Sequence, residues 1–399
     1  MELRQWDRFF LKFLLLCAAG VVVTEVLGQE WLTSYLFLAT FPLTVILWAR
    51  SVRKTLTGLD ILMLLTILLA VVNVILNLWI NGGTLSFDFF RKVIMFSMSL
   101  MFLQTANRFR VGQEIVDFMT RIADLLTLFF VLMYFWNRPA MHVINGYVTG
   151  YLTFGFSNPN TTGLFLTCLY MLELYRLYTR EVWYLKTLHV GMACVLFWFV
   201  FETQSRNCLL VMLLFTVYCL WLVFRSKRML RVTGFWAGMI AWFPLTFAAL
   251  YMTVIYTPWI QRIFGFAVSA GKNLDSRVDI WTNTLSYIKH SPLIGSYYEI
   301  SGGTGVAQMH NSHLDIAASY GIAVLVLVCV LLTRYLLQRG RVYESKERYI
   351  YMLGFSCTLL LGLGEAALFS GGLGIHLFAG MLLMLANGKD DTQQEVFAP

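Results

Sequence analysis

The chain has 399 residues, of which 58% are hydrophobic and only 13% charged, with a formal net charge of +8. Soluble domains carry about 25% charged residues, so the composition excludes a soluble globular protein and indicates an integral membrane protein. The basic excess does not mark a nucleic-acid binder, because the Lys and Arg residues sit in short gaps between apolar runs, which is the pattern of membrane orientation.

Twelve apolar runs follow one another, near residues 9–27, 31–49, 59–80, 91–107, 115–135, 159–178, 187–203, 207–224, 233–256, 314–333, 348–365 and 371–387. Runs of about 20 residues cross a hydrocarbon core of roughly 30 Å as helices. They are too long and too evenly apolar for barrel strands. The first run lacks a small-x-small cleavage site leading into a soluble domain, so it reads as a span and not as a signal peptide. The expected fold is therefore all-α and integral to the membrane, one polytopic domain over residues 1–399 with about twelve transmembrane helices.

All but eight of the 30 basic residues lie on one side of this scheme, at the termini, around the gaps of that side and, with Arg121, within the fifth run. The positive-inside rule makes that side cytoplasmic, with both termini on it. The eight exceptions are Arg91, Lys92, Arg138, Arg206, Arg262, Lys272, Arg277 and Lys289. Topology does not require them. The seven cysteines all fall inside apolar runs, form no C-x-x-C pair and are odd in number; they read as small buried hydrophobes, with neither disulfides nor metal. No internal repeat relates the first six runs to the last six.

Two outward gaps are long, about 136–158 and 257–313. A gap as long as the second is usually a folded functional element. Within it, Val278, Ile280, Trp281, Leu285 and Ile288 have helical spacing, which predicts an amphipathic helix over about 277–290 carrying part of the site. Ser301-Gly302-Gly303-Thr304-Gly305 reads as a mobile loop.

Arg206 opens the eighth run at its outer end, where a guanidinium meets the wrong end of the helix dipole. A charge in that place is normally retained for a partner or a substrate. A planar, permanently charged fork at a helix N-terminus suits phosphate; the competing reading is a salt bridge to Glu202. Arg277 follows Asp275-Ser276, which reads as an N-cap, and its plain alternative is pairing with Asp275 or Asp279. Arg91 and Lys92 begin the fourth run and alternatively snorkel to the interface. Cations converging on one outer cavity would hold a diphosphate.

His310 and His313 lie three residues apart before the tenth run. Imidazole is the usual general base near neutral pH. A zinc ion needs three or four ligands, and no H-E-x-x-H accompanies them, so no metal is expected. Asn158-Pro159-Asn160 opens the sixth run with a cap and a first-turn proline, and its amides also suit sugar hydroxyls. Asn311 and His313 are further candidates for substrate contact. Glu365, near the outer end of the eleventh run, is a membrane carboxylate without an obvious local partner and reads as a second candidate base or the partner of an arginine.

Together these residues resemble the O-antigen ligase and O-antigen polymerase family of bacterial membrane glycosyltransferases, mainly over residues 150–335. The family's motif of His, then Asn, Ser or Gln, nine residues, Gly, two residues and Gly, Thr or Tyr is met by His310-Asn311 and Gly321, but its last position is Val324. Ser205-Arg206, Ser276-Arg277 to Trp281, Ser291-Pro292-Leu293-Ile294-Gly295 and Asn158-Pro159-Asn160 match the remaining motifs in order. The resemblance implies a GT-C-like helical fold in the inner (plasma) membrane, with catalysis in a periplasmic or extracellular loop between spans nine and ten. It implies a glycan donor on undecaprenyl diphosphate, an acceptor glycan, and neither cofactor, nucleotide sugar nor metal. It brings a chain-length regulator and a flippase into view as partners. Carried over by motif, Arg206 and Arg277 grip the donor diphosphate, and His310 helps activate the acceptor hydroxyl. Attack at the anomeric carbon then displaces the lipid diphosphate with inversion.

The Val324 departure favours a polymerase of repeat units over a ligase that moves finished glycan to lipid A-core or another acceptor. A flippase or transporter is the competing class. It would leave paired features in both halves and polar residues through the whole bilayer, whereas here they concentrate at the outer ends of the runs. A purely structural scaffold would not ask for the outer arginines.

Overall fold

The structure, a computed structural model, describes residues 4–53, 55–82, 87–144, 147–148, 150–156, 158–179, 182–223, 239–254, 275–297, 300, 309–339, 346–365, 369 and 375–386. A helix lies in each of the twelve apolar runs. In chain order these are α1 (Gln5–Val26), α2 (Glu30–Val52), α3 (Gly58–Ile80), α4 (Phe87–Arg108), α5 (Gln113–Trp136), α6 (Pro159–Thr179), α7 (Trp183–Thr203), α8 (Arg206–Val223) and α9 (Phe243–Val254). The amphipathic α10 (Asp275–His290) follows, then α11 (Ser312–Tyr320), α12 (Ile322–Arg339), α13 (Lys346–Leu361) and α14 (Ile375–Ala386). A two-residue antiparallel hairpin, β1 (Val143–Ile144) with β2 (Tyr147–Val148), interrupts the all-helical architecture in the loop after α5.

Among the described residues, α1, α2, α3 and α7 are long and apolar enough to cross a membrane. Helices α4, α5 and α6 match them in length but carry polar groups that turn inward, such as the buried Gln104, Thr120 and Glu173. Lipid offers no hydrogen bonds, so such groups must find partners inside the bundle. Exposed Leu, Phe and Trp side chains on α1, α2, α3 and α7 form the outer surface. Six of the seven cysteines are buried, and Cys194 is exposed on α7.

The bundle has two chemically different ends. At one, cations on helix termini pair with carboxylates: Arg50 with Asp7, Arg108 with Asp60, and Arg8 and Lys12 with Glu114. Asp60 also closes a capping box with Thr57 at the start of α3 and accepts from Gln104 at 2.7 Å. The other end, where α3 finishes and α4 begins, gathers the irregular backbone.

One expectation is corrected at that end. The tenth run is not a continuous helix from 314 to 333 but breaks at Gly321, which has φ +90°. A Cβ there would lie 2.1 Å from the carbonyl oxygen of Leu293. That carbonyl belongs to the Ser291-Pro292-Leu293-Ile294-Gly295 turn, whose Gly295 (φ +83°) would in turn place a Cβ 2.5 Å from the carbonyl oxygen of Ser319. Two glycines thus allow two backbone segments to touch, as no side-chain-bearing residue could. Pro292 accepts from the Ile322 N–H at 2.8 Å, and Ser296 N–H donates to Ala318 at 2.7 Å. Asn73 and Asn77, one turn apart on α3, fasten the junction: Asn73 Nδ2 donates to Leu293 and Tyr320 carbonyls, and Asn77 Nδ2 to that of Gly295.

Candidate functional site

The carboxylate of Glu365 joins the sequence candidates. Its Oε1 accepts from Asn160 Nδ2 at 2.6 Å, and its Oε2 lies 3.0 Å from His310 Nδ1. Glu365 is buried and His310 half-buried. An imidazole that gives its Nδ1 proton to a carboxylate keeps its lone pair on Nε2, the tautomer of a general base. Among the described residues, Glu365 is the carboxylate paired with His310.

Each member is held by local structure. Asn158 caps α6 by accepting from the Asn160 N–H at 2.8 Å, which fixes the backbone that presents the Asn160 amide. His310 takes a positive φ of 49°, a left-handed conformation in which His is enriched among non-glycine residues. The chain turns there into α11, whose cap is Asn311. The Asn311 Oδ1 accepts from the N–H groups of His313 and Leu314, both at 3.0 Å, while its Nδ2 donates to Pro244 and Leu363. Asn311 is fully buried, so its hydrogen-bonding capacity goes to the protein. Ser312 reinforces the joint: its N–H donates to Gly362 at 2.9 Å, and its hydroxyl to the Glu365 carbonyl at 3.0 Å.

His313 points elsewhere. It is buried, its Nε2 lies 2.6 Å from the Ala241 carbonyl, and among the described residues its Nδ1 has no partner. A protonated ring would bury an unpaired N–H, so this imidazole is neutral and ties α11 to the segment before α9.

Met309, just before His310, is where α10 docks. Trp281 is buried and its Nε1 donates to the Met309 carbonyl at 3.0 Å; Thr284 Oγ1 approaches Met309 Sδ at 2.8 Å. Arg277 lies four residues before Trp281, one turn along the same helix face. The helix starts at Asp275, so Asp275-Ser276 belongs to its first turn instead of capping it. The side chain of Arg277 lies outside the described residues, as do Arg262, Lys272 and the Ser301–Gly305 segment.

Arg206 opens α8 as expected, is exposed, and among the described residues makes no hydrogen bond or ion pair. Glu202 is engaged otherwise: Tyr134 donates to both its oxygens at 3.0 Å, and Arg138 lies at 3.2 Å. The residues after Arg206 pack toward the Glu365 turn. Asn207 Nδ2 donates to the Leu361 carbonyl at 2.8 Å and lies against Gly364. Ser205 and Cys208 lie against Gly163 of α6. The start of α8 therefore sits beside both walls of the His310–Glu365–Asn160 cluster.

The remaining two candidates part company. Arg91 is exposed at the start of α4. Gly155, in the loop leading to Asn158, lies against the carbonyl of the adjacent Val26. Lys92 instead bonds to α11, at Asp315 and Ser319.

Asp124, Glu173 and His189 place potential metal-ligand atoms within 4.8 Å of one another. Arg176 pairs with Asp124, and His189 lies 2.6 Å from Glu173, so these charges already have partners. Residues that sequence reasoning passed over include Ser312, Asn207, Asp315 and the Asn73/Asn77 pair. For the last a signal existed, since two amides one helical turn apart in a strongly apolar run mark an inward face.

Comparison with known proteins gives one match. The family model described as O-antigen ligase matches residues 191–329, roughly a third of the chain. No curated protein and no solved structure matches it. The matched stretch runs from within α7 through Arg206, Trp281, His310 and Gly321 into α12, and its family is one of glycosyltransferase-like enzymes acting in polysaccharide biosynthesis. Its apolar helices mark the chain as a membrane protein, and its residues 191–329 are similar to the O-antigen ligase family.

Proposed function

We propose that this protein polymerises lipid-linked oligosaccharide repeat units on the outer face of the bacterial inner membrane. The glycan passes from undecaprenyl diphosphate to a sugar hydroxyl of the acceptor. Twelve helices cross the membrane with both termini cytoplasmic, and the end bearing His310 faces the periplasm or cell exterior. The observation that carries the reading is the His310–Glu365 contact at 3.0 Å, beside the start of α8 and its exposed Arg206.

The acceptor hydroxyl gives its proton to His310 Nε2 as its oxygen bonds to the anomeric carbon. The bond from that carbon to the diphosphate oxygen breaks, and the electron pair leaves on undecaprenyl diphosphate. Single displacement inverts the anomeric configuration. Arg206 and Arg277 stabilise the charge that grows on the leaving group, with Arg91 a further cation for the donor. Glu365 holds the imidazole in orientation and stabilises its cation. Asn160 fixes the carboxylate, and Asn158 and Asn311 build the walls. The reaction asks for no metal, because two guanidiniums and a base supply the charge stabilisation and proton transfer.

The family model's description favours a second reading, a ligase that moves finished glycan to another acceptor. Val324, buried where the ligase motif has Gly, Thr or Tyr, favours the polymerase. The test is incubation of the protein in lipid with its undecaprenyl-diphosphate-linked repeat alone. A ladder of lengthening products that vanishes in His310→Ala supports polymerisation. A single transfer that requires a second acceptor would make it a ligase. No reaction with either would refute both.

A further inference from the structure

We propose that Lys92 is a positioning residue, an ammonium latch that fixes α11, the helix that follows His310, against α4, and that it does not bind donor phosphate. The assignment divides the adjacent Arg91 and Lys92, and its kinetic arm rests on the reading above.

The Lys92 ammonium lies 2.8 Å from Asp315 Oδ1 and 2.9 Å from the Ser319 hydroxyl. These partners are four residues apart on α11 and so share the face turned to α4. The side chain of Asp315 is only 4% exposed and that of Lys92 21%. Among the described residues, Asp315 Oδ2 is buried without a partner. Drawing the ammonium away to a phosphate would leave Asp315 with neither oxygen engaged by a cation. It would also bring a dianionic group toward a buried carboxylate. Both changes are unfavourable in a low-dielectric interior.

The backbone around the pair reinforces the latch. The Tyr320 hydroxyl donates to the Lys92 carbonyl at 3.2 Å, and its ring lies 4.6 Å from that of Phe96 on α4. Asn73 holds the Tyr320 carbonyl from α3. The opposite end of α11 is fastened by Asn311 and Ser312 to the 362–365 turn. The nine-residue helix is thus clamped at both ends, with His310 two residues before its start. Loosening the Lys92 end lets the helix shift as a body, and misplacement by about 1 Å costs on the order of 100-fold in rate.

The test uses Lys92→Met, Lys92→Arg, Asp315→Asn and the apolar double variant Lys92→Met/Asp315→Leu in the full-length protein. Kinetics with the lipid-linked donor and thermal inactivation are both measured. A latch predicts that Lys92→Met lowers kcat by about tenfold or more while leaving donor KM within about twofold. It predicts that Lys92→Arg retains most of the rate. The double variant, which removes both buried charges together, should recover stability and kcat, because a buried ion pair is replaceable by apolar groups but not by half of itself. A Lys92→Met variant with raised donor KM and unchanged kcat, not rescued by the second substitution, would overturn the proposal. So would additive effects of the two substitutions on inactivation temperature. If the wild type forms no product, the proposed reaction fails, and the stability cycle still decides whether the pair is a latch.

Discussion

Replacing Gly321 by alanine tests the central architectural claim, that the break after α11 is a built contact between two backbones. Gly321 has φ +90° and ψ 161°, a region essentially reserved for glycine. Holding alanine there costs about 1–3 kcal/mol in backbone strain. The new methyl would lie 2.1 Å from the Leu293 oxygen and 2.7 Å from its carbonyl carbon, both main-chain atoms that cannot rotate away. Relieving that overlap costs a further ~1–3 kcal/mol by the measure of overpacked cores. Moving Leu293 also endangers the bonds from Asn73 and from Ile322 to Pro292, each contributing about 0.5–1.5 kcal/mol. The expected loss is therefore about 2–6 kcal/mol. Gly28→Ala is the control, since Gly28 has φ +68° with nothing within 4 Å of an added Cβ, leaving a backbone cost of about 1–2 kcal/mol. Both variants would be heated in detergent and the remaining folded fraction followed by size exclusion. If Gly321→Ala survives as well as Gly28→Ala, the close approach is not a constraint and the account of the break is wrong.

Other perturbations separate chemistry from scaffold. Glu365→Gln should lower kcat on the order of 100-fold or more with a smaller change in KM; normal turnover would remove the carboxylate from the mechanism. Arg206→Ala and Arg277→Ala should abolish detectable product while membrane insertion stays normal, with losses on the order of 100- to 1,000-fold expected for one charge-stabilising donor; wild-type activity in either variant would refute its role. Asn311→Ala should lower stability by about 1 kcal/mol through the lost cap alone, and more if the carbonyls of Pro244 and Leu363 are left unpaired, measured as a lowered inactivation temperature. Adding a chelator should leave turnover unchanged, and inhibition reversed by one added metal would contradict the proposed mechanism.

The helices were legible because apolar runs, basic gaps and turn residues all carry period and composition. A helix lies in each predicted run and in the predicted amphipathic stretch. The break at Gly321 was not legible in the same way. A single glycine in an apolar run is tolerated in a helix, and only the distant Leu293 carbonyl shows why the chain must break there. The pairing of His310 with Glu365 was similarly hidden, because the residues are 55 apart and joined through Ser312, whose polarity is unremarkable in sequence. Lys92 illustrates the opposite limit. An unpaired-looking cation at an outer helix end suggested substrate, and its partner Asp315 appears only when α11 is folded beside α4.

The spacing of the His-Asn-x9-Gly motif acquires a physical meaning from this arrangement. Its nine variable positions are the nine residues of α11, its Asn is that helix's cap, and its Gly is the closure. The motif is thus a rigid rod of fixed length, about 13 Å at 1.5 Å per residue, with His310 at one end and a backbone weld at the other. Changing the rod by one residue would turn its faces by about 100° and separate Asp315 and Ser319 from Lys92. The Arg-x-x-x-Trp spacing acts in the same way: Trp281 donates to the Met309 carbonyl next to His310, one helical turn after Arg277 in α10. Most of the motif positions therefore set distances within the fold, and a residue-preserving insertion in α11 should be more damaging than several substitutions on its surface.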